Sequence, residues 1–143
     1  MQRTASAAWS GGLKDGKGTI STQSGVLTET QYSFGTRFEN GKGTNPEELI
    51  AAAHAGCFTM ALSAQLGTIN FTAESLQTTA GVTLEKLEAG WTISKIHLDV
   101  TAKVPGMSAA AFETAAESAK ANCPVSRLLK ADITMTAKLE QAG

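Results

Sequence analysis

Cysteine is scarce in this sequence: its 143 residues include only Cys57 and Cys123. Two thiols are too few to staple a small secreted scaffold, so any disulfide is expected to be transient and chemical. An excess of charge is also lacking. Lys+Arg 12 against Asp+Glu 13, with a pI near 6.1, excludes the basic surplus that contacts along a nucleic acid need. There are no internal repeats and no low-complexity linker. Gly41-Lys42-Gly43-Thr44 lacks the spacing of a phosphate-binding loop, and no serine-hydrolase elbow occurs. The stretch from Met1 to Trp9 lacks the unbroken apolar run of a secretory leader. A cytoplasmic location, where thiols are kept reduced, is therefore expected.

What is present suffices for one core. A hydrophobic content of 42% in a chain of this length predicts a single domain over 1–143. Between Leu49 and Ala73 no residue is charged, which is long enough to cross a bilayer. Interspersed polar residues such as His54, Thr59, Ser63 and Gln65, and the lack of flanking Lys or Arg anchors, argue against a membrane span. The expectation is a helix buried by protein on most sides.

The N-terminal third reads as strands and turns: Ala5 to Ser10, Lys17 to Thr22, and a third run near Gln31 to Phe38. These strands hold few large apolar residues and need something else to lie on. A helix then starts with Asn45 as cap, Pro46 in its first turn and Glu48 at the capping-box position, and ends near Gly67. Its apolar stripe is read as Ile50, Ala53, Cys57, Ala61 and Ala64. Leu76 to Leu87 and Trp91 to Val104 read as two antiparallel strands turning near Glu88-Ala89-Gly90. Ser108 caps a second helix that ends near Asn122, Cys123 caps a short third one opened by Pro124, and Ile133 to Leu139 forms a last strand. The class is α+β, with antiparallel sheets packed on helices.

Either of two readings fits Cys57, packing or chemistry, since a thiol on an apolar stripe stays protonated unless a cation stands beside it. Arg37, between Phe34 and Phe38 in sequence, is the best candidate for that cation, and a solvent-facing arginine is the alternative. Glu48 has a capping role and points nearly opposite to Cys57, which leaves Glu47 free to fix an arginine or to stand solvated in the first turn. Cys123, at the start of a helix, meets unsatisfied amides that favour a thiolate, so local physics makes it the more acidic thiol. His54 and Cys57 form an H-x-x-C pair, but a metal site needs further ligands; a core or supporting histidine, and no metal or other cofactor, is expected.

Taken together these segments resemble the OsmC/Ohr family of thiol peroxidases, most closely its osmotically inducible OsmC branch. The resemblance rests on Lys17-Gly18-Thr19-Ile20-Ser21-Thr22, on Thr36-Arg37-Phe38, on the run from Gly43 to Cys57, and on Asn122-Cys123-Pro124-Val125-Ser126. It implies an OsmC-like fold in an interwoven homodimer, with antiparallel sheets wrapped around two long central helices and the N-terminal sheet shared with the partner. It also implies reduction of organic hydroperoxides, and more weakly of hydrogen peroxide, in defence against oxidative and osmotic stress. Cys57 would be the peroxidatic thiol and Cys123 the resolving one, with Arg37 and Glu47 completing the site. Phe34, Phe38, Ile50 and Met60 would bury the alkyl part of the substrate, or equally belong to the core. The disulfide would be reopened by an external dithiol, whether a lipoylated protein, thioredoxin or a small thiol. A redox sensor or a noncatalytic binding dimer with the same cysteines are the alternatives.

Overall fold

A computed structural model describes residues 1–140 of the chain. It resolves into two compact units, Met1–Leu49 and the part from Ile50 onward.

The first unit holds an antiparallel sheet of β1 (Ala5–Ser10), β2 (Lys17–Thr22) and β3 (Thr30–Tyr32), followed by the short helix α1 (Phe34–Phe38). Every residue of β1 is exposed, so this sheet has almost no core of its own. Gly18 is fixed by crowding: a Cβ there would sit 2.6 Å from the Trp9 ring and 2.5 Å from that of Tyr32. The third strand expected near Gln31 to Phe38 is a three-residue strand plus a helix instead. Ser33 and Thr36 form a reciprocal capping box, Ser33 Oγ accepting from Thr36 N–H and Thr36 Oγ1 from Ser33 N–H. That local pairing stabilises a helical turn over an extended strand.

The long helix α2 (Pro46–Thr68) is the one element that starts in the first unit and continues in the second. Asn45 Oδ1 accepts from Glu48 N–H at 2.7 Å and caps it, while the Glu48 carboxylate accepts from Thr44 Oγ1. Then come β4 (Ser75–Leu87), β5 (Gly90–Lys103), α3 (Ala109–Asn122), α4 (Pro124–Leu128) and β6 (Asp132–Glu140). The tight β4–β5 hairpin requires Gly90, whose φ of 120° is open to glycine and strained for other residues. The sheet order is β4-β5-β6.

Not all pairing is antiparallel. β6 lies parallel to β5, because α3 and α4 intervene and return the chain to the same end of the sheet before β6 begins. Ile96, Leu98, Val100 and Ala102 alternate inward along β5 and share one cluster with Phe58, Leu62 and Leu66 of α2 and Phe112, Ala115, Ala116 and Ala119 of α3. Fully burying each large side chain stabilises the fold by about 1.5–3 kcal/mol.

This core corrects two readings of α2. The buried stripe is His54, Phe58, Leu62 and Leu66; Ile50, Cys57 and Ala61 only flank it, and Ala53 and Ala64 are exposed. Phe and Leu set the phase because alanine contributes little apolar area. Nor is the helix covered on most sides, since the opposite face, including Ala52, Ala53, Gly56, Met60, Ser63, Ala64 and Gly67, is open. Among the described residues α2 is the one helix long and apolar enough to cross a membrane, and 22% of its most apolar window is buried.

Candidate active site

In the first unit, the guanidinium of Arg37 meets the carboxylate of Glu47. Arg37 Nε and Nη2 donate to Glu47 Oε1 at 2.9 and 2.8 Å, and Nε also reaches Oε2 at 3.3 Å. The backbone prepares this pair. Asn45 caps α2 with its Oδ1 and donates its Nδ2 to the Thr36 carbonyl at 3.0 Å, locking the start of α2 to α1. Gly43 lets the intervening loop approach β3, where a Cβ would lie 2.6 Å from the Gln31 carbonyl oxygen; the φ there is 137°.

Beside Arg37 lies a cleft of about 290 Å³ whose lining includes Trp9, Leu13, Tyr32, Phe34 and Phe38. The Phe34 and Phe38 rings pack tilted at 43° with centroids 4.9 Å apart, and the Arg37 guanidinium carbon stands 5.5 Å from the Phe38 ring centre. One cation in an apolar aromatic cleft suits a ligand with a polar head and an alkyl or aryl body.

In the second unit, Cys57 and Cys123 come together although they are far apart in sequence. Cys57, on α2, is half-buried, whereas Cys123, at the junction of α3 and α4, is fully buried; neither is in a disulfide. The two thiols lie near enough for each to be felt by the other electrostatically. Burial pushes the Cys57 thiol above its ordinary pKa; a hydrogen bond from the Val125 backbone amide pulls it down, and the nearby Cys123 thiol pushes it up again. An S–S bond is only about 2.05 Å long, so closing one requires the two free sulfurs to approach.

Cys123 is tightly placed. Its N–H donates to the Ala119 carbonyl and ends α3, while its sulfur caps α4 by accepting from Ser126 N–H at 3.4 Å. Ser126 Oγ stands 3.4 Å from the same sulfur and 2.8 Å from His54 Nε2. His54 is fully buried, its Nδ1 has no hydrogen-bond partner, and burial pushes its pKa below the ordinary value, so the ring is neutral near pH 7. Among the described residues no group of three or more His, Cys, Asp or Glu side chains could hold a metal ion.

Of the residues proposed for substrate contact, Phe34 and Phe38 line the cleft, Ile50 rests against the hydrophobic core, and Met60 is 77% exposed on the open face of α2. Sequence reasoning missed the contributions of Val125 and Ser126. The only signal was the Cys123-Pro124-Val125-Ser126 run itself, which sets a polar side chain three residues after a helix cap. It also missed Trp9, Leu13 and Tyr32, whose convergence on the cleft depends on strand pairing.

The chain has relatives among known proteins. Residues 39–138 match the family model described as OsmC, OsmC-like protein. Peroxiredoxin OsmC of Escherichia coli K12 is 53% identical over 140 residues, covering 98% of both chains. The organic hydroperoxide resistance protein OhrA of Bacillus subtilis is 34% identical over 100 residues, covering 70% of each. An OsmC-like protein of Vibrio cholerae has the same fold, with a TM-score of 0.77 at 16% identity over 96% of this chain and 99% of that one. The whole-length match at 53% identity places the chain in the OsmC/Ohr family, on its OsmC branch.

Proposed function

We propose that the protein is a thiol peroxidase that reduces organic hydroperoxides, and hydrogen peroxide more weakly, through a Cys57 sulfenic acid and a Cys57–Cys123 disulfide. The observation that carries this reading is the pair of free thiols, 66 positions apart in sequence, that the fold brings near enough to interact, one half-buried and one fully buried. Whole-length similarity to a peroxiredoxin supports it.

The Cys57 thiolate attacks the terminal peroxide oxygen; the S–O bond forms, the O–O bond breaks, and the departing alkoxide takes a proton and leaves as alcohol. Cys123 then displaces the oxygen of the sulfenic acid as water. An external dithiol, such as a lipoylated protein, thioredoxin or a small thiol, reopens the disulfide by exchange.

Burial and Cys123 both keep the proton on Cys57, so the first step needs a cation. Arg37 fills that role in this scheme, with Glu47 orienting it, and Phe34 and Phe38 take the alkyl body. The working unit is an interwoven homodimer in which the Arg37–Glu47 pair faces a Cys57. Two features support assembly: the open small-residue face of α2 and the sheet led by the fully exposed β1. The second long central helix is then the partner's copy of α2, each chain counts as one OsmC-like domain, and the cytoplasm is the setting.

The test is multiple turnover of cumene hydroperoxide with a dithiol reductant. Activity is expected in the natural protein and is lost in Cys57→Ser; turnover retained in Cys57→Ser contradicts the role given to Cys57.

A further inference from the structure

We infer that Ser126, held in position by His54, assists the resolving step, donating from both its hydroxyl and its backbone amide to the Cys123 sulfur as that sulfur attacks the Cys57 sulfenic acid. The inference rests on the peroxidase reading above and assigns a task to groups that reading leaves idle.

The tautomer of His54 follows from its surroundings. The ring is fully buried and neutral near pH 7, and Nδ1 has no partner. A buried N–H without an acceptor is rarer than a bare acceptor, so the proton belongs on Nε2, where Ser126 Oγ lies 2.8 Å away. His54 therefore donates to Ser126. Having accepted that bond, Ser126 directs its own O–H at Cys123 Sγ, 3.4 Å away. Its N–H points at the same sulfur over 3.4 Å. Two donors on a sulfur sealed from solvent stabilise charge that water cannot reach.

In the step itself the Cys123 S–H bond breaks and the S–S bond forms, the Cys57 S–O bond breaks, and the thiol proton joins the departing oxygen to give water. The Cys57 sulfur is reduced and the Cys123 sulfur oxidised by the same amount. Ser126 and His54 keep their protons. Ser126 touches the reacting sulfur; His54 is a positioning residue, acting only through Ser126.

The experiment mixes the reduced full-length chain with one equivalent of cumene hydroperoxide. A dimedone probe traps sulfenic acid, and loss of free thiols measures disulfide closure. Ser126→Ala is expected to accumulate trapped Cys57 sulfenic acid and to close the disulfide about 10- to 100-fold more slowly. Ser126→Thr, which keeps a hydroxyl, closes near the natural rate. His54→Gln, whose amide can donate to Ser126, closes faster than His54→Leu, which fills space without donating. Closure of Ser126→Ala at the natural rate overturns the inference. So does His54→Leu matching or exceeding His54→Gln, because that order marks a packing role. If the natural protein neither loses thiols nor yields trapped sulfenic acid, the peroxidase reading falls, and with it the step assigned to Ser126.

Discussion

Arg37 and Glu47 lie ten residues apart on different helices, and two guanidinium nitrogens converge on one carboxylate oxygen, Nε at 2.9 Å and Nη2 at 2.8 Å from Glu47 Oε1. The carboxylate is largely buried while the arginine is 38% exposed, so the pair is anchored from the glutamate side. Such an arrangement orients a cation without sealing it off, leaving its remaining N–H groups for a substrate or a sulfur.

Glu47→Gln keeps the shape of this anchor and removes its charge. It is expected to lower kcat/KM for cumene hydroperoxide by about tenfold, and Arg37→Met by about 10²- to 10³-fold. Steady-state kinetics with excess dithiol measures both. An unchanged kcat/KM in Arg37→Met contradicts the assignment of Arg37.

Asn45 joins α1 to α2 through two side-chain bonds, to Glu48 N–H and to the Thr36 carbonyl. Asn45→Ala is expected to cost about 0.5–2 kcal/mol of stability from the lost cap alone. Peroxidase activity should fall with it even where the protein stays folded, since the pair bridging the two helices loses its alignment. Urea unfolding and turnover on the same samples separate the two effects.

The helix starts were the most legible part of this fold. Asn45-Pro46, Ser108 and Cys123-Pro124 combine a capping side chain with a residue suited to a first turn, and α2, α3 and α4 begin where these signals lie. The Ser33-x-x-Thr36 box carried the same kind of information, but a flanking run of apparent strand residues masked it. Strand direction was not legible: β6 alternates inward and outward in either direction, and only the chain's path through α3 and α4 makes it parallel to β5. The phase of α2 was misread because alanines were weighted like Phe58, Leu62 and Leu66. At the site, Arg37, Glu47 and Cys57 each had an open alternative on residue type and position alone, and only the resemblance to the OsmC/Ohr family joined them with Cys123. The His54–Ser126 contact spans 72 residues and carries no local pattern, so only the folded chain reveals it.

The corrected phase of α2 has an energetic consequence. Leu62, fully buried, is expected to cost about 2–5 kcal/mol when changed to Ala, whereas Ala53→Ser on the exposed face should cost about 0.5 kcal/mol or less within the single chain. Denaturant midpoints of the two variants test this order.

A Cβ added at Gly56 meets nothing within 4 Å in the isolated chain. Gly56→Leu should therefore leave the fold intact and raise the helix propensity of α2 by somewhat under about 1 kcal/mol. If a second copy packs on this face, the same change disrupts the dimer. Sedimentation should then show dimer for the natural protein and monomer for the variant.

His54 predicts an acid-side loss of stability. Its folded pKa lies below the ordinary 6.5, so as pH falls below 6.5 the unfolded chain takes up a proton that the folded chain does not. The His54 contribution is complete above 6.5 and is lost as pH falls toward the folded pKa, at up to about 1.4 kcal/mol per pH unit. Urea unfolding between pH 7.5 and 5.5 should show this slope, and His54→Gln should flatten it.

The most direct measurement counts free thiols before and after one equivalent of cumene hydroperoxide and maps the oxidised protein by nonreducing peptide mass analysis. The account predicts the loss of two thiols per chain and a Cys57–Cys123 linkage within one chain. Thiols that survive the peroxide, or a disulfide joining two chains instead, would contradict it.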